Sequence, residues 1–336
     1  MTGALPPQVR ALLTLTGQTV PIMQAPVGSE TAVALAAAVS RAGGLGGVAL
    51  TWADPGTAPA IVKAMQAASG GHPVYGNFVL HFPCDEFDAA LDAGLGIVTL
   101  SFGIDAARIA RAHRAGARVG VQVGSAQGAR RALDAGADFL IAQSVEAGGH
   151  VQSTTAAADL LPAVLVQADA VPVLAAGGIC TAAGIARALA AGAAGAVMGT
   201  RFVATIEAGY HDAYKSALVA ASGADSVLTN CFDLGWPYAM HRVLRNDTFL
   251  AWEAAGCPLA PNRPGEGDVV MRHGTEDVPR YSDMPPLPGV VGSPLSAVLY
   301  AGTGVGDIAA VEPAGALVTR LWAGAEAALA GHEVAP

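Results

Sequence analysis

The 336-residue chain is 52% hydrophobic and only 13% charged, a balance that excludes an intrinsically disordered polypeptide. Its 27 acidic and 18 basic side chains leave a formal charge of −9 with no basic run, which argues against wholesale binding to nucleic-acid backbones. No apolar run reaches the roughly 18 residues that span a bilayer, and the N-terminus lacks a charged region leading into a hydrophobic one. Four cysteines (Cys84, Cys180, Cys231, Cys257) without a CxxC pair read as reduced thiols, so the expected location is the cytoplasm.

Along the chain, short and continuously apolar runs begin at Pro21 and near positions 45, 74, 97, 119, 139, 171 and 195. Continuous rather than alternating apolarity marks parallel strands covered on both faces. Five of the runs follow an Ala-rich helical stretch closed by an Ala-Gly pair: Ala42-Gly43, Ala93-Gly94, Ala115-Gly116, Ala135-Gly136 and Ala191-Gly192. Glycine just past a helix adopts the left-handed conformation that ends it. Units of about 20–35 residues fit a (β/α)8 barrel. A doubly wound sheet also alternates strands and helices, but eight unbroken units favour closure.

The rhythm stops after Arg201. Helical patches follow at Tyr210–Ala221 and Arg242–Ala255, then a polar, Pro-rich stretch from Pro258 to Pro288, and a last helix over Val311–Leu329. The expected organisation is an α/β TIM barrel built from residues 1–205 and 291–336, with 206–290 as a helical cap inserted after strand eight in the same domain.

In such barrels the chemistry sits at the C-terminal strand ends, with a phosphate commonly held after strands seven and eight. Here the seventh run ends in Ala176-Gly177-Gly178-Ile179 and the eighth in Met198-Gly199-Thr200-Arg201. Glycines let backbone N–H groups approach a phosphate, and Thr200 adds a hydroxyl. The sixth run leads into Glu146-Ala147-Gly148-Gly149-His150, a close-approach loop that carries an imidazole suited to proton transfer near neutral pH. A histidine is more often a packed or surface residue, and His81 after the third run is the weaker candidate. Glu146 either orients its neighbours or is simply solvated.

Several stretches resemble nitronate monooxygenases, the FMN-dependent enzymes formerly called 2-nitropropane dioxygenases: Pro21–Pro26, Leu35–Gly46, Glu146–His150, Ala175–Ile179 and Met198–Phe202. Val227–Asn246 and Tyr300–Gly306 match that family more loosely. The resemblance implies an FMN site in which Ala25, Pro26 and Val27 lie along the ring edge, and Asn77 and Gln122 offer polar contacts. Gly148 and Gly149 admit the ring and ribityl chain, while Gly177, Gly178, Gly199 and Thr200 hold the phosphate. His150 matches the family's catalytic base. The chain departs from the pattern at Ser144-Val145, at Val151-Gln152 and at Cys231–Tyr238.

The resulting expectation is an FMN-dependent oxidoreductase that oxidises nitroalkanes or nitronates with O2 to a carbonyl compound and nitrite. The alternative is an FMN-dependent NAD(P)H reductase of quinone or enoyl-thioester type. A flavin-free barrel lyase that uses the phosphate site for its substrate, and a non-catalytic flavin protein, stay open. Trp236 and Tyr238 are the expected substrate-lining residues, whereas the other rings of the insertion read as its own core. No metal is assigned; the expected partners are a small organic substrate and O2, without nucleic acid or membrane, and a homo-oligomer stays open.

Overall fold

The computed structural model describes residues 5–28, 30–237 and 239–331. Six parallel strands come first: β1 (Ile22–Gln24), β2 (Gly46–Ala49), β3 (Val74–Val79), β4 (Ile97–Ser101), β5 (Arg118–Val123) and β6 (Phe139–Gln143). The two-residue β7 (Gly149–His150) lies outside their sheet, which continues with β8 (Val173–Ala176) and β9 (Gly195–Met198). All eight run parallel in the order β1-β9-β8-β6-β5-β4-β3-β2. A Met23–Leu45 bridge joins the two ends, where the Gln24 N–H donates to the Leu45 carbonyl (3.0 Å) and the Leu45 N–H to the Ile22 carbonyl (2.9 Å). The ring is a TIM barrel, as the strand spacing predicts.

Helices α1 (Pro7–Thr16), α2 (Val33–Arg41), α3 (Ala58–Ser69), α4 (Phe87–Asp92), α5 (Ala106–Arg114), α6 (Ala126–Asp134), α7 (Ala157–Ala168) and α8 (Ala182–Ala190) alternate with these strands. The one-turn α9 (Thr200–Val203) follows β9. The five Ala-Gly signals mark real helix ends: Gly43, Gly94, Gly116, Gly136 and Gly192 all have φ between 81° and 103°. Inside the barrel, large side chains face small ones. Where a Cβ on Gly47 or Gly120 would stand, the rings of Tyr75 and Phe139 pass at 2.2 Å, so only glycine fits there. Leu12 of α1, a helix the sequence reading leaves unassigned, joins this interior cluster with Met23, Leu45 and Leu174.

The insertion is not purely helical, which corrects the expectation. It contains α10 (Asp212–Ala220) and α11 (Asp247–Ala254), but also β10 (Ser226–Thr229), β11 (His241–Leu244), β12 (Val269–His273), β13 (Glu276–Pro279) and, just beyond it, β14 (Val291–Gly292). The helix expected from Arg242 begins only at Asp247, because Asn246 caps it by accepting from the Phe249 N–H (3.0 Å). The preceding His241–Leu244 pairs instead with β10 and β7. In the Pro-rich stretch, β12 and β13 form a hairpin around Gly274 and Thr275, with His273 opposite Glu276. The last helix, α12 (Ala314–Leu329), packs on α8 and α2.

Insertion and barrel share one core. Tyr214, Leu218 and Leu244 cluster with Cys180, Val203 and Ala204. Phe232, Phe249, Trp252 and Tyr281 form a second cluster within the insertion, as the reading of those rings as core expects. Cys84, Cys180 and Cys231 are buried thiols and Cys257 is an exposed one. Among the described residues no helix is long and apolar enough to cross a membrane.

Candidate active site

A narrow cavity of about 70 Å³ opens at the C-terminal ends of the barrel strands. Ala25 and Pro26 line it from the β1 end, Asn77 from β3 and Gln122 from β5. Gly148 enters from the β6 loop, Gly177 and Gly178 from the β8 end, and Gly199 and Thr200 from the β9 end. Nine of the eleven expected cofactor contacts therefore meet in one place. The other two lie off its wall: Val27 packs against the hydrophobic clusters beside the barrel, and Gly149 turns away into β7.

The glycine wall has the chemistry of an anion cradle. Among the described residues the N–H groups of Gly178 and Gly199 find no acceptor. Thr200 Oγ1 accepts from the Gly302 N–H (2.9 Å), which leaves its own proton free to donate. Gly178 sits at φ 67°, and a Cβ there would come within 2.8 Å of Thr303 Oγ1. Across the cavity, a Cβ on Gly148 would fall 2.5 Å from the Gly302 nitrogen. Two donors without partners, beside the crowded Gly148 and Gly178, suit a phosphate.

The opposite wall is polar and was only partly legible. Asn77 donates from Nδ2 to Thr99 Oγ1 (2.9 Å), and the Tyr75 hydroxyl donates to the Gln24 carbonyl (2.6 Å). A glutamine chain runs behind Gln122. Its Nε2 donates to Gln152 Oε1 (2.8 Å), the Gln152 N–H donates to Gln143 Oε1 (3.0 Å), and Gln143 Nε2 donates to the His150 carbonyl (3.1 Å). Gln143 lines the cavity together with Tyr75, Thr99 and Gly302, none of which the sequence reading assigned. Gln143 carries a signal that could have found it: a polar residue closing the apolar run Phe139–Gln143.

His150 stands beside this cavity rather than in its wall. It lies on β7 opposite His241 of β11, and the Arg242 side chain ties the pair to the Val145 carbonyl (2.9 Å). Its Nε2 is buried with no hydrogen-bond partner. Burial, and secondarily the nearby His241, push its pKa down to about 3, so the ring is neutral at physiological pH. Glu146 has a different task. Both its carboxylate oxygens accept from the Ala157 N–H (3.1 Å), which fastens the loop to the start of α7.

Trp236 does not line the narrow cavity. It is buried and stacks on His150 at 4.1 Å between ring centroids. Phe102 (4.5 Å), Phe82 (5.2 Å) and His81 (5.8 Å) surround the same indole. Phe102 has φ 55°, a strained conformation for a bulky residue, and its N–H donates to Gln152 Oε1 (3.0 Å). Tyr238, the other expected substrate contact, lies outside the described residues.

The nitronate monooxygenase family model matches residues 84–324. A (3aS,4S,5R,7aS)-5-hydroxy-7a-methyl-1-oxo-octahydro-1H-indene-4-carboxyl-CoA dehydrogenase from Mycobacterium tuberculosis is 34% identical over 68% of this chain and 63% of its own length. A nitronate monooxygenase from Paraburkholderia phytofirmans is 32% identical over 66% of this chain and 73% of its own. Among solved structures, FabK from Thermotoga maritima superposes with TM-score 0.77 at 25% identity, covering 95% of this chain and 97% of that one. Nitroalkane oxidase from Streptomyces ansochromogenes gives 0.75 at 29%, covering 96% and 99%.

Proposed function

Because the chain belongs to the nitronate monooxygenase family, we propose that it is an FMN-dependent enzyme that oxidises nitronates with O2 to a carbonyl compound and nitrite. The family is generally flavin-dependent. The observation that carries FMN for this chain is the pair of unpartnered N–H groups at Gly178 and Gly199 beside the Thr200 hydroxyl. These three would hold the phosphate, with Gly177 and Gly148 giving the clearance, and Ala25, Pro26, Asn77 and Gln122 would meet the rest of the cofactor. FMN, when bound, supplies the electron transfer to oxygen.

The remaining work belongs to the protein. The Gln122–Gln152–Gln143 chain fixes the backbone of His150. The buried Nε2, lacking any partner in the fold, is available to a substrate oxygen or to a proton on carbon. Since burial resists the imidazolium form, a substrate that has already lost its proton suits this site better than a neutral nitroalkane. Trp236 and the rings around it exclude water from the imidazole and face what enters.

Replacing His150 by Asn keeps a polar side chain but removes the base. Activity on neutral nitroalkanes should fall about 10²–10⁴-fold, the usual worth of general-base catalysis, and activity on preformed nitronates far less. Equal loss on both forms, measured as nitrite release at constant FMN content, overturns the base assignment.

A reductase that takes electrons from a nicotinamide nucleotide is the second reading, which the likeness to FabK fits, but less well than the family match fits the first. Anaerobic bleaching of the flavin by NADPH at catalytic rates would favour it.

A further inference from the structure

Next to the narrow cavity lies a larger one of about 370 Å³, within the range of about 300–1,000 Å³ typical of small-molecule pockets. The two share Gln122, and Gln152, the partner of Gln122, also lines the larger one. Its walls come from the β4 end (Gly103, Ile104), the β5–α6 connection (Gly124, Ser125) and the segment after β7 (Thr154, Thr155). The charged side chain facing it is Arg131, and no carboxylate lines it. Among the described residues Arg131 enters no ion pair, whereas its neighbour Arg130 is paired with Asp134 (3.2 Å). An arginine left without a counter-charge beside hydroxyls and glycine backbone is suited to a phosphate, which it can grip with two parallel N–H bonds.

The strain at Phe102 adds a separate observation. The residue precedes Gly103 in the cavity wall and is held at φ 55° by the same Gln152 side-chain oxygen that Gln122 engages. One glutamine therefore separates the two cavities and joins their walls. The hydrogen-bonded Gln122–Gln152 pair stands where the two linings meet.

We propose that this second cavity binds the phosphate-bearing handle of a co-substrate whose reacting end enters the pocket assigned to FMN. The cavity exceeds a lone inorganic anion, so its occupant carries the phosphate on a larger body. Two sources share that chemistry: a nicotinamide dinucleotide and a coenzyme A thioester. The inference rests on the FMN assignment only for the direction in which the reacting end points.

The test is calorimetric titration of the FMN-loaded protein with NADPH, coenzyme A and inorganic pyrophosphate, using wild type, Arg131→Met and Arg130→Met. Binding of at least one nucleotide probe is expected, weakened at least about tenfold by Arg131→Met through loss of a charge-assisted hydrogen bond. Arg130→Met, whose side chain lies outside the cavity, should leave the isotherm unchanged. NADPH binding without coenzyme A binding identifies the first source, and the converse identifies the second. If wild type binds none of the probes, or if both arginine variants lose affinity equally, the proposal is wrong. Nitrite release assayed on the same preparations keeps the two readings apart, because a protein that binds a probe but releases no nitrite overturns the proposed reaction and leaves this site standing.

Discussion

His150 combines two properties that are seldom found together in a free side chain: its Nε2 is fully enclosed, and it has no partner. The cost of that arrangement is an acid sensitivity with a definite sign. The ordinary imidazole pKa of about 6.5 applies to the unfolded chain, while the folded ring titrates near 3. Between those values the unfolded state binds more protons, so stability is complete above about pH 6.5 and is lost as pH falls toward 3. His150→Asn should therefore flatten the fall in denaturation midpoint across that window. A variant curve that stays parallel to wild type from pH 7 to 4 would show that the ring titrates normally in the native protein.

At the scale of elements, the insertion owes its shape to contacts that its sequence hides. Arg263 is almost wholly buried, bonds Asp233 and Glu266, and stands over the Tyr281 ring at 4.2 Å. It thereby anchors the turn that carries Trp236. Breaking a buried pair costs about 3–5 kcal/mol, and here the low end applies because both carboxylates are 23% exposed. Arg263→Met should loosen residues 231–237 and speed proteolysis there while the barrel keeps its circular dichroism. Unchanged cleavage would show that the aromatic cluster alone holds the turn. The barrel's own elements were readable because Ala-Gly endings and unbroken apolar runs are local signals, and strand starts fall within about two residues of expectation. The strands β10 to β13 were not, because runs of four or five residues are too short to show a pattern: β11 needs the remote β7 beside it, and the β12–β13 hairpin is hidden in a polar, Pro-rich stretch. For the same reason the glycine cradle was legible, while the Gln122–Gln152–Gln143 chain, which exists only once β5, β6 and the segment after β7 are side by side, was not.

For the whole molecule, the cavity at the strand ends is where the chain's distant parts converge: Ala25, Gly178, Thr200 and Gly302 meet around it. A ligand there stabilises only the folded state, by about 2.7 kcal/mol when present at a hundred times its dissociation constant. Gly178→Val places a side chain against Thr303 at a strained φ of 67°. The variant should be purified without flavin and melt at the temperature of flavin-stripped wild type. Full FMN content would remove the phosphate assignment. The pairing of β7 with β11 has a broader consequence, for how such a barrel can change over time. Loops on a barrel rim are ordinarily interchangeable, so that a new specificity can be grafted without touching the catalyst. Here the strand bearing His150 is hydrogen-bonded to β11 of the insertion. The two cannot be exchanged separately, and a rearrangement of that part of the insertion also re-seats the histidine.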